Sequence, residues 1–201
     1  MIAPTTSRRA DVRIIGGAAG GRRISVPARG TRPTSDRVRE SMFSSLESAL
    51  GGWSGLRVLD LYAGSGALGL ECLSRGASHA AFVERDRTTA RVVQANADLL
   101  GLPGAQVACA DVEAWVARPA DSAYDVVFLD PPYAIPTQAV TSILRALGDH
   151  GWLADGAVAV VERDARDADT PWPAEGWEEL RRRDFGDTAL WYGRHLGREP
   201  L

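Results

Sequence analysis

The chain has 201 residues, of which 45% are hydrophobic and 24% charged, with a formal net charge of −3. That is enough for one substantial core and too little for two, and no apolar run approaches the ~18 residues that a membrane helix needs. The first thirteen residues carry arginines with no apolar stretch behind them, so they lack the middle of a secretory signal and a cytoplasmic location is expected.

In chain order, the arm comes first. Residues 1–40 hold nine arginines, at 8, 9, 13, 22, 23, 29, 32, 37 and 39, against Asp11, Asp36 and Glu40; they carry +6 and the remainder −9. Every cation is arginine, since the sequence has no lysine, and guanidinium binds phosphate bidentately and stacks on bases. A basic arm on an acidic body reads as a clamp for a polyanion. Within it, β-branched pieces at 12–15 and 24–26 flank Gly16-Gly17-Ala18-Ala19-Gly20-Gly21, which predicts a hairpin with a glycine-rich loop. Residues 1–33 are expected to form this extension and 34–201 the main domain.

Val38, Met42, Phe43, Leu46 and Leu50 then recur at helical spacing until Gly51-Gly52, predicting a helix over 36–50. From residue 56 strands and helices alternate. Strands are expected at 57–61, 79–84, 106–109, 124–129 and 157–162, and helices at 66–75, 87–100, 112–117 and 137–147. Continuous apolar strands in such alternation imply a parallel sheet covered on both faces. The tail, 179–183 and 189–192 around Gly186-Asp187, predicts an antiparallel edge hairpin, and the Pro/Asp-rich stretch 164–176 a surface loop. Cys72 and Cys109 fit no metal-ligand spacing and are expected as small buried apolar residues, with no metal involved.

Gly64-Ser65-Gly66-Ala67-Leu68-Gly69 follows a strand, opens a helix and matches the dinucleotide fingerprint, with Glu84 twenty residues on. Asp60 argues against a pyrophosphate ligand there, because two like charges would face each other. It suits a ligand bearing an ammonium and a sulfonium, which describes S-adenosylmethionine. Glu84 would accept ribose hydroxyls with either cofactor. Asp111 either accepts from an adenine amino group beside the Val112 N–H or simply caps the next helix.

Asp130-Pro131-Pro132-Tyr133 ends the apolar strand Val126-Val127-Phe128-Leu129. The acid, a carbonyl with no competing N–H and the ring are what is needed to grip a planar exocyclic amine. Such an amine is a poor nucleophile because its lone pair is delocalised into the ring. Hydrogen bonds from both its N–H groups to Asp130 and the Pro131 carbonyl would draw nitrogen toward pyramidal geometry, with Tyr133 stacked on the base.

With these residues located, the sequence resembles the RsmD family of small-subunit rRNA guanine-N2 methyltransferases. The resemblance is carried by Arg13-Ile14-Ile15-Gly16-Gly17, Arg32-Pro33-Thr34-Ser35-Asp36-Arg37-Val38-Arg39-Glu40, the stretch from Val58 through Gly69 to Glu71, Phe82-Val83-Glu84-Arg85-Asp86, Phe128 to Tyr133, and Gly186-Asp187-Thr188. It implies a class I, Rossmann-like α/β fold, with a seven-stranded mostly parallel sheet, an antiparallel C-terminal hairpin and a small N-terminal β-hairpin. It also implies S-adenosylmethionine as donor and N2 of one guanine in 16S rRNA as acceptor. By position, Asp60, Ala63, Gly64, Ser65, Gly66, Glu84, Arg85, Asp111, Val112 and Asp130 would line the donor site, and Asp130, Pro131, Pro132 and Tyr133 would hold the guanine. Arg13, Arg22, Arg23, Arg32, Arg37 and Arg39 would contact the RNA of a small ribosomal subunit, with the protein acting as a monomer. Tyr62 stands where relatives usually have Phe, and Ala18-Ala19-Gly20 where they often have basic residues. The rival readings are a DNA adenine-N6 methyltransferase, an NAD-dependent oxidoreductase and a non-catalytic RNA-binding assembly factor.

Overall fold

Strands that are apolar at every position need cover on both faces, and the chain supplies it with helices between them. The computed structural model describes residues 11–27 and 35–197. Five parallel strands form its centre: β3 (Arg57–Leu61), β4 (His79–Glu84), β5 (Ala105–Cys109), β6 (Tyr124–Leu129) and β7 (Leu153–Asp164). The tail adds β8 (Trp177–Phe185) and β9 (Thr188–His195), both antiparallel, giving one sheet in the order β5-β4-β3-β6-β7-β9-β8. The connecting helices are α1 (Asp36–Leu50), α2 (Ala67–Arg75), α3 (Arg87–Leu100), α4 (Val112–Val116) and α5 (Thr137–Asp149). The N-terminal strands β1 (Asp11–Arg13) and β2 (Arg23–Ser25) pair separately, and a single 3-10 turn at Gly17–Ala19 fills the loop between them.

Side-chain alternation along the strands divides the core in two. Val58, Phe82, Val126, Phe128 and Val160 meet α1, α2 and α3 through Phe43, Leu46, Leu70 and Val93. Leu59, Leu61, Val83, Val127, Leu129 and Val161 meet α4 and α5 through Val116, Val140, Ile143 and Leu144. Each such side chain, fully buried, contributes about 1.5–3 kcal/mol. From β3 the chain steps outward to β4 and β5, then returns to place β6 on the other side of β3. The order therefore reverses between β3 and β6, and in open α/β sheets ligands bind outside the carboxyl ends of the strands at such a point.

The N-terminal hairpin packs on the α1–α3 face and puts Val12, Ile14, Ile24 and Val26 into its core. Glu71 of α2, fully buried, accepts from Ile15 N (2.6 Å) and Gly16 N (2.8 Å) and also from Arg75 Nε (2.8 Å). Asn96 of α3 accepts from Ser25 N and donates to the carbonyls of Ser25 and Ser65, each at 2.9 Å. Only glycine fits at position 17: φ is +73°, and a Cβ would lie 1.8 Å from the Ser74 carbonyl oxygen.

Three expectations change. Cys109 is exposed rather than buried, because it closes β5 at the sheet rim, whereas Cys72 is fully buried on α2. The 164–176 stretch is not wholly surface: Pro171, Trp172 and Pro173 are buried, with Trp172 stacked on Trp177 at 5.2 Å between ring centroids. Gly193 of β9 makes the room, since a Cβ there would meet the Trp172 ring at 2.7 Å. The fifth parallel strand also begins four residues earlier and ends two later than its apolar run suggests, because its polar ends pair with neighbouring strands.

Candidate active site

Beyond β3 the backbone must reverse within five residues to start α2. Tyr62 (φ 61°), Gly64 (φ 56°) and Gly66 (φ 78°) all take the left-handed conformation, which only glycine adopts without strain. The turn is fastened by Ala63 N to Val83 O (3.1 Å), Gly66 N to Ala63 O (2.7 Å) and Gly64 N to Glu84 Oε2 (3.2 Å). Glu84 Oε1 also accepts from Asp86 N (2.9 Å), so one carboxylate at the end of β4 ties two loop backbones together. Gly69 lets α2 press onto the sheet; a Cβ there would stand 2.4 Å from the Phe82 ring.

Register then aligns the acids. Leu61 is level with Val83 and Leu129, and Leu129 with Val161; all four face α4 and α5. The residues one step on, Glu84, Asp130 and Glu162, and the residue one step back, Asp60, therefore share the α1–α3 face. Glu84, Asp60 and Glu162 stand on β4, β3 and β7, and Asp130 one residue past β6, so four carboxylates span four adjacent strands across the switch point. Asp60 is buried and accepts from Gly69 N at 2.9 Å. Burial, with Glu84 repulsion adding to it and the Gly69 N–H opposing, raises its pKa from 3.8 to about 7. Burial likewise pushes Asp130 well above the usual carboxylate range, followed by repulsion from Glu162 and then Asp60. A row of this kind is relieved by a cation and aggravated by a phosphate.

The sign of the pH effect follows. The folded chain holds the Asp60 proton more tightly than the unfolded chain, so this contribution to stability is full below pH 4 and is lost as pH rises through about 7. We expect Asp60→Asn, which keeps an acceptor for Gly69 N, to reduce the loss of stability between pH 5 and 8 by as much as about 2–3 kcal/mol. Urea midpoints at both pH values for the two proteins check this; parallel pH profiles would show that Asp60 is already ionised.

Past β6, Pro131 is buried while Pro132 and Tyr133 are exposed, and the Tyr133 hydroxyl lies 3.3 Å from Oγ1 of Thr188, the first residue of β9. Ile135 N closes the loop on the Pro132 carbonyl (2.9 Å). Arg163 of β7, 2% exposed, donates from Nη2 to the Ile135 carbonyl (2.8 Å) and pairs with Asp167 (2.9 Å), pinning the loop from below. Glu162 and Arg163 were missed by sequence reasoning. Their signal is a charged pair ending the apolar run Val158 to Val161, at the level of Asp130 once the strands are aligned.

The other expected residues are more scattered. Ala63, Gly64 and Gly66 are buried in the turn and Ser65 partly so, while Arg85 is exposed on the rim after β4. Asp111 is exposed and caps α4, accepting from Ala114 N at 3.2 Å; this uses one of its two oxygens. Val112 is buried at the start of that helix. Burial, then the neighbouring Glu113 and Asp111 charges, push the Tyr62 phenol up to about 12.

Among the arginines expected on RNA, two are spoken for. Arg39 is 1% exposed and donates to the Arg13 carbonyl (2.7 Å) and Asp36 (2.8 Å), so its role is to brace the start of α1. Arg22 caps the end of α3 through the carbonyls of Leu99 and Leu100. Arg13, Arg23 and Arg37 remain exposed, the first paired with Asp36 and Glu40 and the second with Asp11. Arg32 lies outside the described residues.

The family described as Conserved hypothetical protein 95 matches residues 12–194. Ribosomal RNA small subunit methyltransferase D of Escherichia coli strain K12 is 36% identical over 190 residues, 94% of this chain and 92% of that protein. The chain belongs to the ribosomal RNA small subunit methyltransferase D family. A solved structure of this kind, the candidate methyltransferase yhhF of Escherichia coli, superposes with a TM-score of 0.80 and 34% identity over 94% of this chain and all of that one. The fold reaches further: an RNA methyltransferase from Salinibacter ruber, solved with S-adenosyl-L-homocysteine, covers 84% of this chain and 96% of its own at 18% identity and a TM-score of 0.59. The fold of this chain is thus the class I methyltransferase fold with an added N-terminal hairpin.

Proposed function

We propose that this protein transfers a methyl group from S-adenosylmethionine to the exocyclic N2 of a specific guanine in 16S rRNA, acting in the cytoplasm as a monomer on the small ribosomal subunit. One observation carries the reading: the four-carboxylate row crosses the switch point beside Asp130-Pro131-Pro132-Tyr133, in a chain of this family. The residues present fit the donor, since the acids favour a cationic ligand and the glycine turn lets a ligand approach the backbone closely. When bound, S-adenosylmethionine supplies an electrophilic methyl group on a sulfonium centre.

The protein's own groups do the rest. Asp60 lies under the start of α2 and faces the cationic end of the donor, Glu84 keeps lone pairs for ribose hydroxyls, and Asp111, with one oxygen uncommitted, faces adenine beside Val112 N–H. Asp130 and the Pro131 carbonyl accept from the guanine amino group and localise its lone pair. The proton that the amine gives up passes to the ionised Asp130 carboxylate. Tyr133 stacks on the base, worth about 1–3 kcal/mol. Arg163 keeps this loop in place, and Arg13, Arg23, Arg32 and Arg37 contact the RNA backbone.

The test offers labelled S-adenosylmethionine with small subunits from cells lacking this gene, and separately with duplex DNA. Label is expected in N2-methylguanine of 16S rRNA and not in DNA. Label in DNA N6-methyladenine would replace this reading, and label in neither would leave an assembly factor.

A further inference from the structure

Outside the first forty residues the chain carries excess acid, yet Arg181-Arg182-Arg183 puts three cations in succession on β8. Alternation sends Arg182 to one side, where it donates to the carbonyls of Ala165 and Asp167 and lies over Trp191. Arg181 and Arg183 face the other way, toward α1. Arg181 lies over the Tyr192 ring at 4.5 Å, and Arg183 donates to Ser41 Oγ at 3.3 Å. Among the described residues neither forms an ion pair with a carboxylate, although Arg13, Arg23, Arg39, Arg75, Arg163, Arg166, Arg182 and Arg194 all do.

A groove of about 470 Å³ runs between the two elements, with Ser41, Ser44, Ser45 and Ser48 on its α1 wall and Arg181 and Arg183 on its β8 wall. Arg37, exposed, stands one turn before Ser41 on the same stripe of α1. The acids of this helix, Asp36, Glu40 and Glu47, do not line the groove and pair instead with Arg13, Arg39 and Arg75. The groove thus has hydroxyls along one wall and two guanidinium groups on the other, over an apolar floor that includes Val158 and Leu180. Beyond Arg183 the strand runs on through Phe185 and two residues into Thr188, whose hydroxyl meets Tyr133, so β8 leads from the groove toward that corner.

Resting on the rRNA reading above, we infer that the α1–β8 groove is a second seat for the substrate, a track for its sugar-phosphate backbone leading to the Tyr133 corner. Arg181 and Arg183 are two residues apart on a strand, about 7 Å, so each can meet a different phosphate. The serine hydroxyls donate to the remaining oxygens, as phosphate contacts commonly do. The N-terminal arm then holds one side of the RNA and β8 the other, with the target base between them.

The experiment measures binding of small subunits lacking this modification across a salt series, for the intact protein, Arg181→Ala/Arg183→Ala, and the charge-preserving Arg181→Lys/Arg183→Lys. A control, Arg118→Ala/Arg145→Ala, removes equal charge from the α4–α5 side. The alanine pair is expected to weaken binding at least tenfold and to make the slope of log K against log salt shallower by about 1.4, at ~0.7 per phosphate contact on a single strand. The lysine pair should keep the slope, the control should match the intact protein, and binding of S-adenosylhomocysteine should be unchanged throughout. An alanine pair with intact slope and intact donor binding overturns the track alone. An alanine pair no weaker than the control overturns it too, by reducing the effect to net charge. Failure of the intact protein to bind small subunits removes the rRNA reading and the track together.

Discussion

Replacing Asp130 by alanine is expected to lower methyl transfer at least a thousandfold, about 4 kcal/mol of transition-state stabilisation, while donor and RNA affinities hold. The carboxylate is asked to do two things at the amine, to orient it and to receive its proton. Asp130→Asn separates them: it keeps an acceptor for one N–H but takes no proton, so its rate should fall between the two. Unfolding would not account for the loss. Asp130 is held among Glu162 and Asp60, and removing one of three mutually repelling acids relieves the site, so the variant should melt no lower than the parent. Single-turnover methyl transfer, with calorimetric titration of S-adenosylhomocysteine, makes the measurement. A rate within tenfold of the parent would remove Asp130 from the chemistry.

The largest structural effect is expected at Glu71. Alanine there leaves Ile15 N and Gly16 N without their acceptor and Arg75 without its closest partner, all in a part-buried setting. Stranding such groups costs about 3–5 kcal/mol. Glu71→Gln keeps one acceptor oxygen and should recover part of that. Because the contacts join the hairpin to α2, amide exchange at Ile15 and Gly16 should accelerate before the rest of the fold opens. Urea unfolding combined with residue-resolved exchange reads both effects; unaltered protection at those two amides would show that apolar packing alone holds the hairpin.

Much of this architecture was legible in the sequence. The runs at 79–84 and 124–129 and the helix at 87–100 form with the expected limits, because each is bounded by a turn or capping residue such as Asp86. The Asp130 loop and the glycine turn were legible for the same reason: sharp reversals demand particular residues. What the sequence hid depends on register and on long-range packing. Glu162 joins the acid row only because β7 lies beside β6 in step, which no local pattern reveals. Arg39 and Arg22 looked like free cations because a linear charge count does not show that backbone carbonyls occupy them. Trp172 went inside because Gly193, on a strand much later in the chain, left it room.

Asn96 holds one hairpin strand by both its backbone groups and, with the same amide, the Ser65 carbonyl of the glycine turn. Arm and turn are consequently geared together through one side chain, and neither can slide without dragging the other. On the reading proposed above, a pull on the arm is passed to the turn that cradles the methyl donor.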